Sequence, residues 1–548
     1  MDKLIILIAF TLIFQNISFS QRKVAPENPK LIINIVVEQM RYDFIQRYWS
    51  KFSEGGFKRL INEGAFCKNA NYSYLITESA PGYATLATGT TPSNHGIVSD
   101  FWFQRLKNKK KFCIEDKHLK SSTTNFNNNK YSPKQLIGST LGDELRLSNY
   151  KQSKVIGVSL KNYAAILSSG HLANAAYWMD DKTGYWTSSS SYLDSLPNWV
   201  VDFNNKKFTE IYLAKQWNTI LPIDSYRESL ADNNAYEKGF KNSQKTFPYE
   251  LLELSKNEGI GIIKHTPYGN TYTKDFALSA IVNENLGKDE YTDLITISFA
   301  ASGYINQIFG IRSIELQDIY LRLDKNIEHL LTFVDEYLAK EDVLIVLTSD
   351  RGSIDNPKFS KEVGMPTGRF NSERAISVLE SYLKAVYGRA NWIKSYNNRQ
   401  IYLNQELIDA SKLNLGEVQL KAAQFINQFK GVANATTATI LQTSNFSNNI
   451  LFKFQNSYNL ERSGDVLINL EPGWIEENNR KVSFEYYKQS SPYRYDSHVP
   501  LIWYGWKINR GEILKNVNIQ DVSATIANFL NIAYPSGTTG KPIEKLVH

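Results

Sequence analysis

Apolar runs without polar alternation recur along the chain. Five of them lie at residues 31–40, 154–160, 292–300, 342–350 and 499–505. Continuous runs of Val, Leu and Ile are typical of parallel strands that are covered on both faces. Helix-like segments separate the runs, as at residues 319–338. The pattern predicts an α/β fold with a central sheet flanked by helices.

Two regions interrupt this alternation. Residues 181–290 are rich in Asn, Lys, Ser and Tyr, and residues 366–490 contain helix and strand patterns of their own. We interpret both as inserted subdomains that cap the sheet, rather than as linkers.

The N-terminus has the layout of a secretory signal peptide. A basic residue precedes an apolar stretch at residues 4–14, and a small-x-small pattern ends at Ser20. The stretch is too short to span a bilayer, and no later segment reaches about 18 uninterrupted apolar residues. We expect residues 1–20 to be removed. Residues 21–548 would then form a periplasmic or secreted domain without a transmembrane anchor.

Composition and charge exclude some classes of partner. With 548 residues, 42% of them apolar, the chain can bury a large core. Its 62 basic and 55 acidic residues give a formal charge of +7, which is spread over the sequence. A solvated charged surface explains this balance, so nucleic acid is not an expected partner.

The chain contains two cysteines, Cys67 and Cys113. An exported protein meets an oxidising environment, which favours a disulfide between them. The alternative is two separate thiols, because sequence does not give the distance between the two residues. We expect the disulfide.

Charged residues follow two of the predicted strands. Glu38 closes the first predicted strand, and Asp350 ends the fourth apolar run and is followed by Arg351. Carboxylates at the carboxyl ends of parallel strands usually face a ligand crevice. These residues are therefore candidates for a functional site.

Three further residues are candidates, each with a structural alternative. Ser79 precedes a helix-like run, where its hydroxyl could face an anion or could simply cap the helix. Lys161 follows the second apolar run and could contact phosphate or lie at the surface. His498 enters the last run from a loop and, taken alone, is more often structural.

Several segments together resemble the alkaline phosphatase superfamily. They include VVEQMRYDF, TGTTPSNHGI, KVIGVSLK, SSGHLANAAYWMDD and SPYRYDSHVPLIWYG, and they span nearly the whole mature chain. The closer resemblance is to the exported threonine-nucleophile alkaline phosphatases of Bacteroidetes, which are kin to nucleotide pyrophosphatase/phosphodiesterases. It implies an alkaline-phosphatase-like sheet and two zinc ions held by three aspartates and three histidines.

The metal positions that the resemblance implies are degenerate in this chain. They fall on Glu38, Gly303, Gln307, Asp350, Arg351 and His498. An arginine cannot deprotonate to bind a metal, and a catalytic zinc normally needs about three protein ligands. We therefore expect no resident metal cofactor.

The remaining positions are changed as well. The resemblance places the nucleophile on Ser79, which would be idle without a metal to activate it. It places the phosphate contacts on Asp100, Lys161 and Tyr163, where asparagine, lysine and arginine are implied. Lys161 alone keeps the implied residue type.

These losses favour a catalytically impaired or inactive pseudophosphatase. Such a protein would have a binding or assembly role in the cell envelope, with an unknown envelope protein as partner. The alternative is a metal-dependent phosphoester hydrolase that uses Ser79 as nucleophile and holds zinc in a reduced site.

Without zinc, Glu38 and Asp350 would repel each other in one crevice. We predict that the Arg351 guanidinium occupies the vacated metal position and pairs with Glu38, because its planar fork suits a carboxylate. The alternative is that Arg351 points to solvent.

Overall fold

The structure is a computed structural model. It describes residues 25–119, 130–240, 244–477 and 490–546. The predicted signal peptide lies outside these ranges. Within them, no helix is both long and apolar enough to cross a bilayer.

Strands and helices alternate over most of the described chain. The strands are β1 Leu31–Val37, β2 Ala65–Asn71, β3 Phe101–Gln104, β4 Lys109–Phe112, β5 Val155–Ser159, β6 Ala175–Met179, β7 Trp186–Thr187, β8 Gln216–Trp217, β9 Tyr249–Glu250, β10 Asp293–Phe299, β11 Val343–Thr348, β12 Gly368–Asn371, β13 Ile393–Asn397, β14 Gln400–Leu403, β15 Val432–Thr437, β16 Val466–Leu470, β17 Trp474–Glu477, β18 His498–Gly505, β19 Gly511–Ile513 and β20 Val517–Asn518.

The α-helices are α1 Asp43–Arg47, α2 Phe57–Glu63, α3 Ser79–Thr88, α4 Pro92–His95, α5 Leu141–Ser148, α6 Asn162–Ser169, α7 Asn198–Asn205, α8 Phe208–Leu213, α9 Leu251–Glu258, α10 Pro267–Asn283, α11 Ala301–Phe309, α12 Ile314–Tyr337, α13 Pro357–Glu362, α14 Ser372–Tyr387, α15 Gln405–Ala410, α16 Leu415–Ile426, α17 Ala438–Thr443, α18 Ile450–Ser457, α19 Arg494–Ser497 and α20 Asp521–Phe529.

A large mixed sheet forms the centre of the molecule, in the order β19-β2-β18-β11-β1-β10-β5-β6-β7, with β20 also paired to β2. The strands from β11 to β6 are parallel, while β18 runs antiparallel to both of its neighbours. Residues Ile33 and Ile35 of β1 pack into one hydrophobic cluster, and Ile32 and Val36 pack into another. Burial on both faces explains the continuous apolar runs, and the predicted α/β fold is confirmed.

The two regions predicted as insertions differ in how they are built. Strands β13, β14, β16 and β15 form a separate four-stranded antiparallel sheet with its own hydrophobic cluster. By contrast, Trp186, Trp217 and Tyr272 from the first region belong to the main core. The boundaries at residues 181–290 and 366–490 stay predictions.

The topology brings several chain segments to one edge of the sheet. Glu38 follows β1 directly, Lys161 lies two residues after β5, and Asp350 lies two residues after β11. Because these strands are parallel, their carboxyl ends share that edge. Helix α11 begins there after β10, and α3 packs against α6 beside it.

The predicted disulfide between Cys67 and Cys113 is wrong, because the two residues are not bonded to each other. Cys67 lies within β2, opposite Leu501 of β18 and Ile513 of β19. Cys113 follows the β3–β4 hairpin, and its backbone N–H donates to the Asp100 carbonyl at 3.0 Å. Both cysteines are buried in one hydrophobic cluster, and an oxidising compartment alone does not give two such residues the geometry of a disulfide.

Candidate functional site

Ser79 is the first residue of α3, where a helix presents unpaired N–H groups. The neighbouring Ala80 N–H donates to Asp100 Oδ1 at 3.0 Å, and the Asp100 N–H in turn donates to Glu78 Oε2 at 2.7 Å. Carboxylates are stabilised at this end of a helix. Asp100, which was predicted to contact phosphate, therefore binds an amide of the helix itself.

Glu38 and Lys161 form a buried ion pair at the centre of the site. The Lys161 ammonium donates to Glu38 Oε2, and the two side chains are 8% and 0% exposed. The Tyr83 hydroxyl donates to Glu38 Oε1 at 3.2 Å. Burial raises the pKa of Glu38 to about 7, the Lys161 charge opposes this shift, and the nearby Asp350 adds to it.

The predicted pairing of Arg351 with Glu38 is wrong, because Lys161 occupies that place. Among the described residues no ion pair joins Arg351 to Glu38, yet Arg351 is buried and does not point to solvent either. The Gly352 N–H donates to the Asp496 carbonyl at 2.6 Å, which holds this loop toward β18. Burial raises the pKa of Asp496 to about 6, and the Arg351 charge opposes this shift.

Asp350 is buried beside Glu38 and is held by the backbone. Its Oδ1 accepts a hydrogen bond from the Gln39 N–H at 2.8 Å. Gln39 has a φ of 56°, which is uncommon for a residue other than glycine. Sequence reasoning missed Gln39, since nothing in its residue type signals this backbone conformation.

Gly303 and Gln307 lie on α11, opposite Glu38. A Cβ atom at Gly303 would lie 2.6 Å from Glu38 Oε2, so the Glu38 side chain fills the space that any side chain at Gly303 would need. Gln307 is partly exposed and lines the cavity described below. The longer carboxylate at position 38 and the missing side chain at position 303 are therefore sterically complementary.

His498 lies apart from these residues, at the start of β18. Its Nε2 donates to the Lys68 carbonyl at 2.9 Å, and its Nδ1 accepts from Arg494 at 3.1 Å. The ring stacks on Tyr42 with centroids 4.3 Å apart. These contacts agree with the structural interpretation of His498.

The residues present do not fit the two zinc ions that the resemblance implies. Glu38 is bound by Lys161, Gly303 has no donor, and Arg351 cannot bind a metal. The described ranges contain no group of three or more His, Cys, Asp or Glu side chains that could hold a metal ion.

A cavity of about 400 Å³ lies above the buried ion pair. It brings together six of the predicted positions, namely Ser79, Asp100, Lys161, Tyr163, Gln307 and Arg351. It does not include Glu38, Asp350 or His498 among its lining residues. Six positions named from the sequence thus share one cavity, and the buried carboxylates do not line it.

The cavity also contains residues that sequence reasoning missed. Lys264, from the first predicted insertion, is buried and forms an ion pair with Asp181. The Tyr304 ring lies 4.5 Å from Lys161 Nζ and 5.8 Å from Lys264 Nζ. Burial lowers the pKa of Lys264, and the Asp181 carboxylate opposes this shift. No motif marks Lys264, because only the packing of the first region onto the sheet brings it to the site.

Aromatic side chains form much of the cavity wall. Phe101 and Phe112 pair across the β3–β4 hairpin with ring centroids 4.7 Å apart, and Tyr163 packs edge-on against Phe112 at 6.2 Å. Trp178 lines the same wall. The cavity thus combines apolar rings with charged side chains of both signs, and two of its cations, Lys161 and Lys264, are paired with carboxylates.

Comparison with known proteins decides the family. Residues 32–493 match the family described as type I phosphodiesterase / nucleotide pyrophosphatase. The chain belongs to this family. The family is part of the alkaline phosphatase superfamily, so the resemblance stated above is confirmed.

Relatives in the phosphodiesterase family match nearly the whole chain. Alkaline phosphatase PafA of Elizabethkingia meningoseptica is 36% identical over 531 residues, which are 96% of each protein. A Myroides odoratus protein named calcium-transporting ATPase is 37% identical over 524 residues, which are 95% of each. The crystal structure of wild-type PafA superposes with a TM-score of 0.89 at 35% identity, covering 96% of this chain and 100% of that one. The match confirms the alkaline-phosphatase-like fold.

Proposed function

We propose that this chain is a member of the phosphodiesterase family that binds a ligand without zinc-dependent phosphoester hydrolysis. It would serve a binding or assembly role in the cell envelope, with an envelope protein as partner. The observation that carries this proposal is the buried Glu38–Lys161 pair. The lysine that would contact phosphate and the carboxylate that would bind zinc neutralise each other.

The electrostatics of the cavity support the same proposal. Lys161 is engaged by Glu38, Lys264 is engaged by Asp181, and the Asp100 carboxylate lies at the start of α3. The cavity lining carries four carboxylates, Glu78, Asp100, Asp180 and Asp181, beside its four cations, Lys161, Lys182, Lys264 and Arg351, so it offers no net positive charge to a phosphate dianion. A small ligand of low net charge that can pack against the aromatic wall suits this cavity better.

The activation of Ser79 as a nucleophile also bears on this proposal. A serine needs an adjacent base or a metal to become an effective nucleophile. The one histidine of the predicted set, His498, is engaged by Lys68 and Arg494 and does not line the cavity. Ser79 would therefore remain idle.

The alternative is a phosphoester hydrolase with a reduced zinc site. Two observations favour it: Ser79 begins α3 within the same cavity as Lys161, and relatives of the chain are alkaline phosphatases. In that case zinc would have to displace Lys161 from Glu38.

Turnover of an aryl phosphate by the purified chain and by Ser79→Ala, with and without added zinc, separates the two functions. We expect equal background rates, because any residual hydrolysis would come from elsewhere. An alkaline phosphatase of the family, assayed in parallel, shows that the conditions support catalysis. A rate that depends on Ser79 would establish the hydrolase instead.

A further inference from the structure

A second, smaller pocket lies on the opposite face of the β3–β4 hairpin from the aromatic wall. Phe101 pairs with Phe112 across the hairpin, whereas Gln104 pairs with Lys109. Because side chains alternate along a strand, the two phenylalanines and Lys109 point to opposite faces. The pocket has a volume of about 100 Å³.

Five lysines line this small pocket: Lys107, Lys109, Lys111, Lys117 and Lys134. They come from the hairpin and from the segments that follow it. We call them the hairpin lysine cluster.

Two carboxylates balance only part of this charge. Glu115 lies 3.4 Å from Lys117 Nζ, and Asp116 lies 3.8 Å from Lys134 Nζ. Within the ranges that the structure describes, no carboxylate lies within ion-pair distance of the other three lysines of the cluster. The pocket therefore carries an excess of positive charge.

The lysines are also close to one another. The neighbouring Lys117 lowers the pKa of Lys109 below its ordinary value. The pKa of Lys111 is lowered mainly by burial; Glu115 and Asp116 oppose this shift, whereas Lys107 and Arg462 add to it. An anion between these groups would relieve their repulsion.

We propose that the hairpin lysine cluster binds a tetrahedral oxyanion, that is, a phosphate or sulfate group, at a site separate from the cavity of Ser79. Lysine ammonium groups offer three donors each and bind phosphate oxygens as point charges. The pocket volume of about 100 Å³ equals that of roughly three water molecules, at about 30 Å³ each. This is enough room for one phosphate or sulfate group. The anion is either free in solution or the headgroup of a phospholipid.

The first test is calorimetric titration with sodium phosphate and sodium sulfate, with sodium chloride at equal ionic strength as reference. The variant Lys107→Gln/Lys109→Gln/Lys111→Gln removes the three uncompensated lysines. The control variant Lys361→Gln/Lys421→Gln/Lys430→Gln removes three exposed lysines elsewhere. We expect the parent and the control to bind, and the cluster variant to lose at least about tenfold in affinity. A Ser79→Ala variant should bind like the parent.

The source of the anion is tested with vesicles that contain anionic or only zwitterionic phospholipid. Binding of inorganic anions identifies a small-anion site, and binding to anionic vesicles alone identifies a headgroup site. If the parent binds neither, or if the cluster variant binds like the parent, the proposal is wrong. Should the triple variant fail to fold, Lys107→Glu at an exposed position must weaken binding in its place.

Discussion

At the scale of single residues, the site is organised by a buried ion pair. Glu38 is inaccessible to solvent and Lys161 nearly so. Such a pair contributes little net stability compared with apolar residues, but the loss of one partner leaves the other charge buried and unpaired. The pair therefore joins Glu38, at a position that would bind zinc in a zinc enzyme of this fold, to Lys161, at a position that would contact phosphate.

Replacement of Lys161 tests this coupling. We expect Lys161→Ala to lower the free energy of unfolding by about 3–5 kcal/mol at neutral pH, because Glu38 must then either keep an unpaired buried charge or take up a proton on folding. Adding Glu38→Gln in the same chain should recover part of the loss. The measurement is denaturant unfolding of the single and double variants.

The control is Lys182→Ala, since Lys182 lines the same cavity but is exposed. The free energy of unfolding of this variant should lie within about 0.5 kcal/mol of that of the parent. Equal stability of the Lys161→Ala and Lys182→Ala variants would contradict the buried pair.

The sequence predicted that a cation must meet Glu38, but it selected the wrong one. Arg351 is adjacent to Asp350 in the chain, whereas Lys161 leaves a strand that is separated from β1 only by β10. Which cation reaches Glu38 depends on strand order and on the backbone bonds between the residue 351–353 loop and the segment before β18. Neither is visible in a pattern of residue types.

At the scale of elements, α11 approaches β1 closely because Gly303 has no side chain. An alanine there would ordinarily stabilise a helix by up to about 1 kcal/mol. Here its Cβ would lie 2.6 Å from Glu38 Oε2 and 3.1 Å from Glu38 Cβ. Steric overlap should outweigh the helix propensity.

We expect Gly303→Ala to lower the free energy of unfolding by about 1–3 kcal/mol, as overpacking usually does. Glu38→Asp in the same chain shortens the carboxylate and should recover part of that loss. Gly261→Ala is the control, because its nearest neighbour would lie at an ordinary 3.7 Å. The measurement is thermal unfolding of the parent and of these variants. A Gly303→Ala protein that is more stable than the parent would contradict the steric explanation.

The elements themselves were largely predictable. Strands β1, β5, β10, β11 and β18 lie where the apolar runs predicted them, because burial on both faces requires apolar residues at every position. Long-range packing was not predictable. The predicted Cys67–Cys113 disulfide was wrong, and Lys264 was missed. Both depend on contacts between segments that are far apart in the sequence.

At the scale of the whole molecule, stability also depends on buried carboxyl groups that do not line the cavity. Glu237 is buried, accepts a hydrogen bond from Asn234, and has its pKa raised to about 8, chiefly by burial. Asp232 adds to this shift and Lys245 opposes it. The buried Glu315 interacts with Glu237 and has a raised pKa for the same main reason.

The sign of the pH dependence follows from this shift. The folded state retains a proton on Glu237 that the unfolded state releases above about pH 4.5, so the stabilisation is complete below that pH and is lost as the pH rises to about 8. Near pH 8.5 we expect the free energy of unfolding of Glu237→Gln to exceed that of the parent by on the order of 2 kcal/mol. Near pH 5 the two proteins should differ little.

Denaturant unfolding between pH 5 and 8.5 measures this difference, with exposed Glu336→Gln as the matched control. If Glu237→Gln and the parent show the same pH dependence, the carboxyl group at position 237 is not protonated in the folded protein.

The central claim is that the protein supplies its own cation where a zinc enzyme of this fold would hold metal. The most direct measurement is the zinc content of the purified protein, determined by elemental analysis after incubation with excess zinc and removal of free metal. The claim predicts well under one zinc per chain, because Lys161 already neutralises Glu38 and Gly303 offers no donor. Two equivalents of tightly held zinc would contradict it.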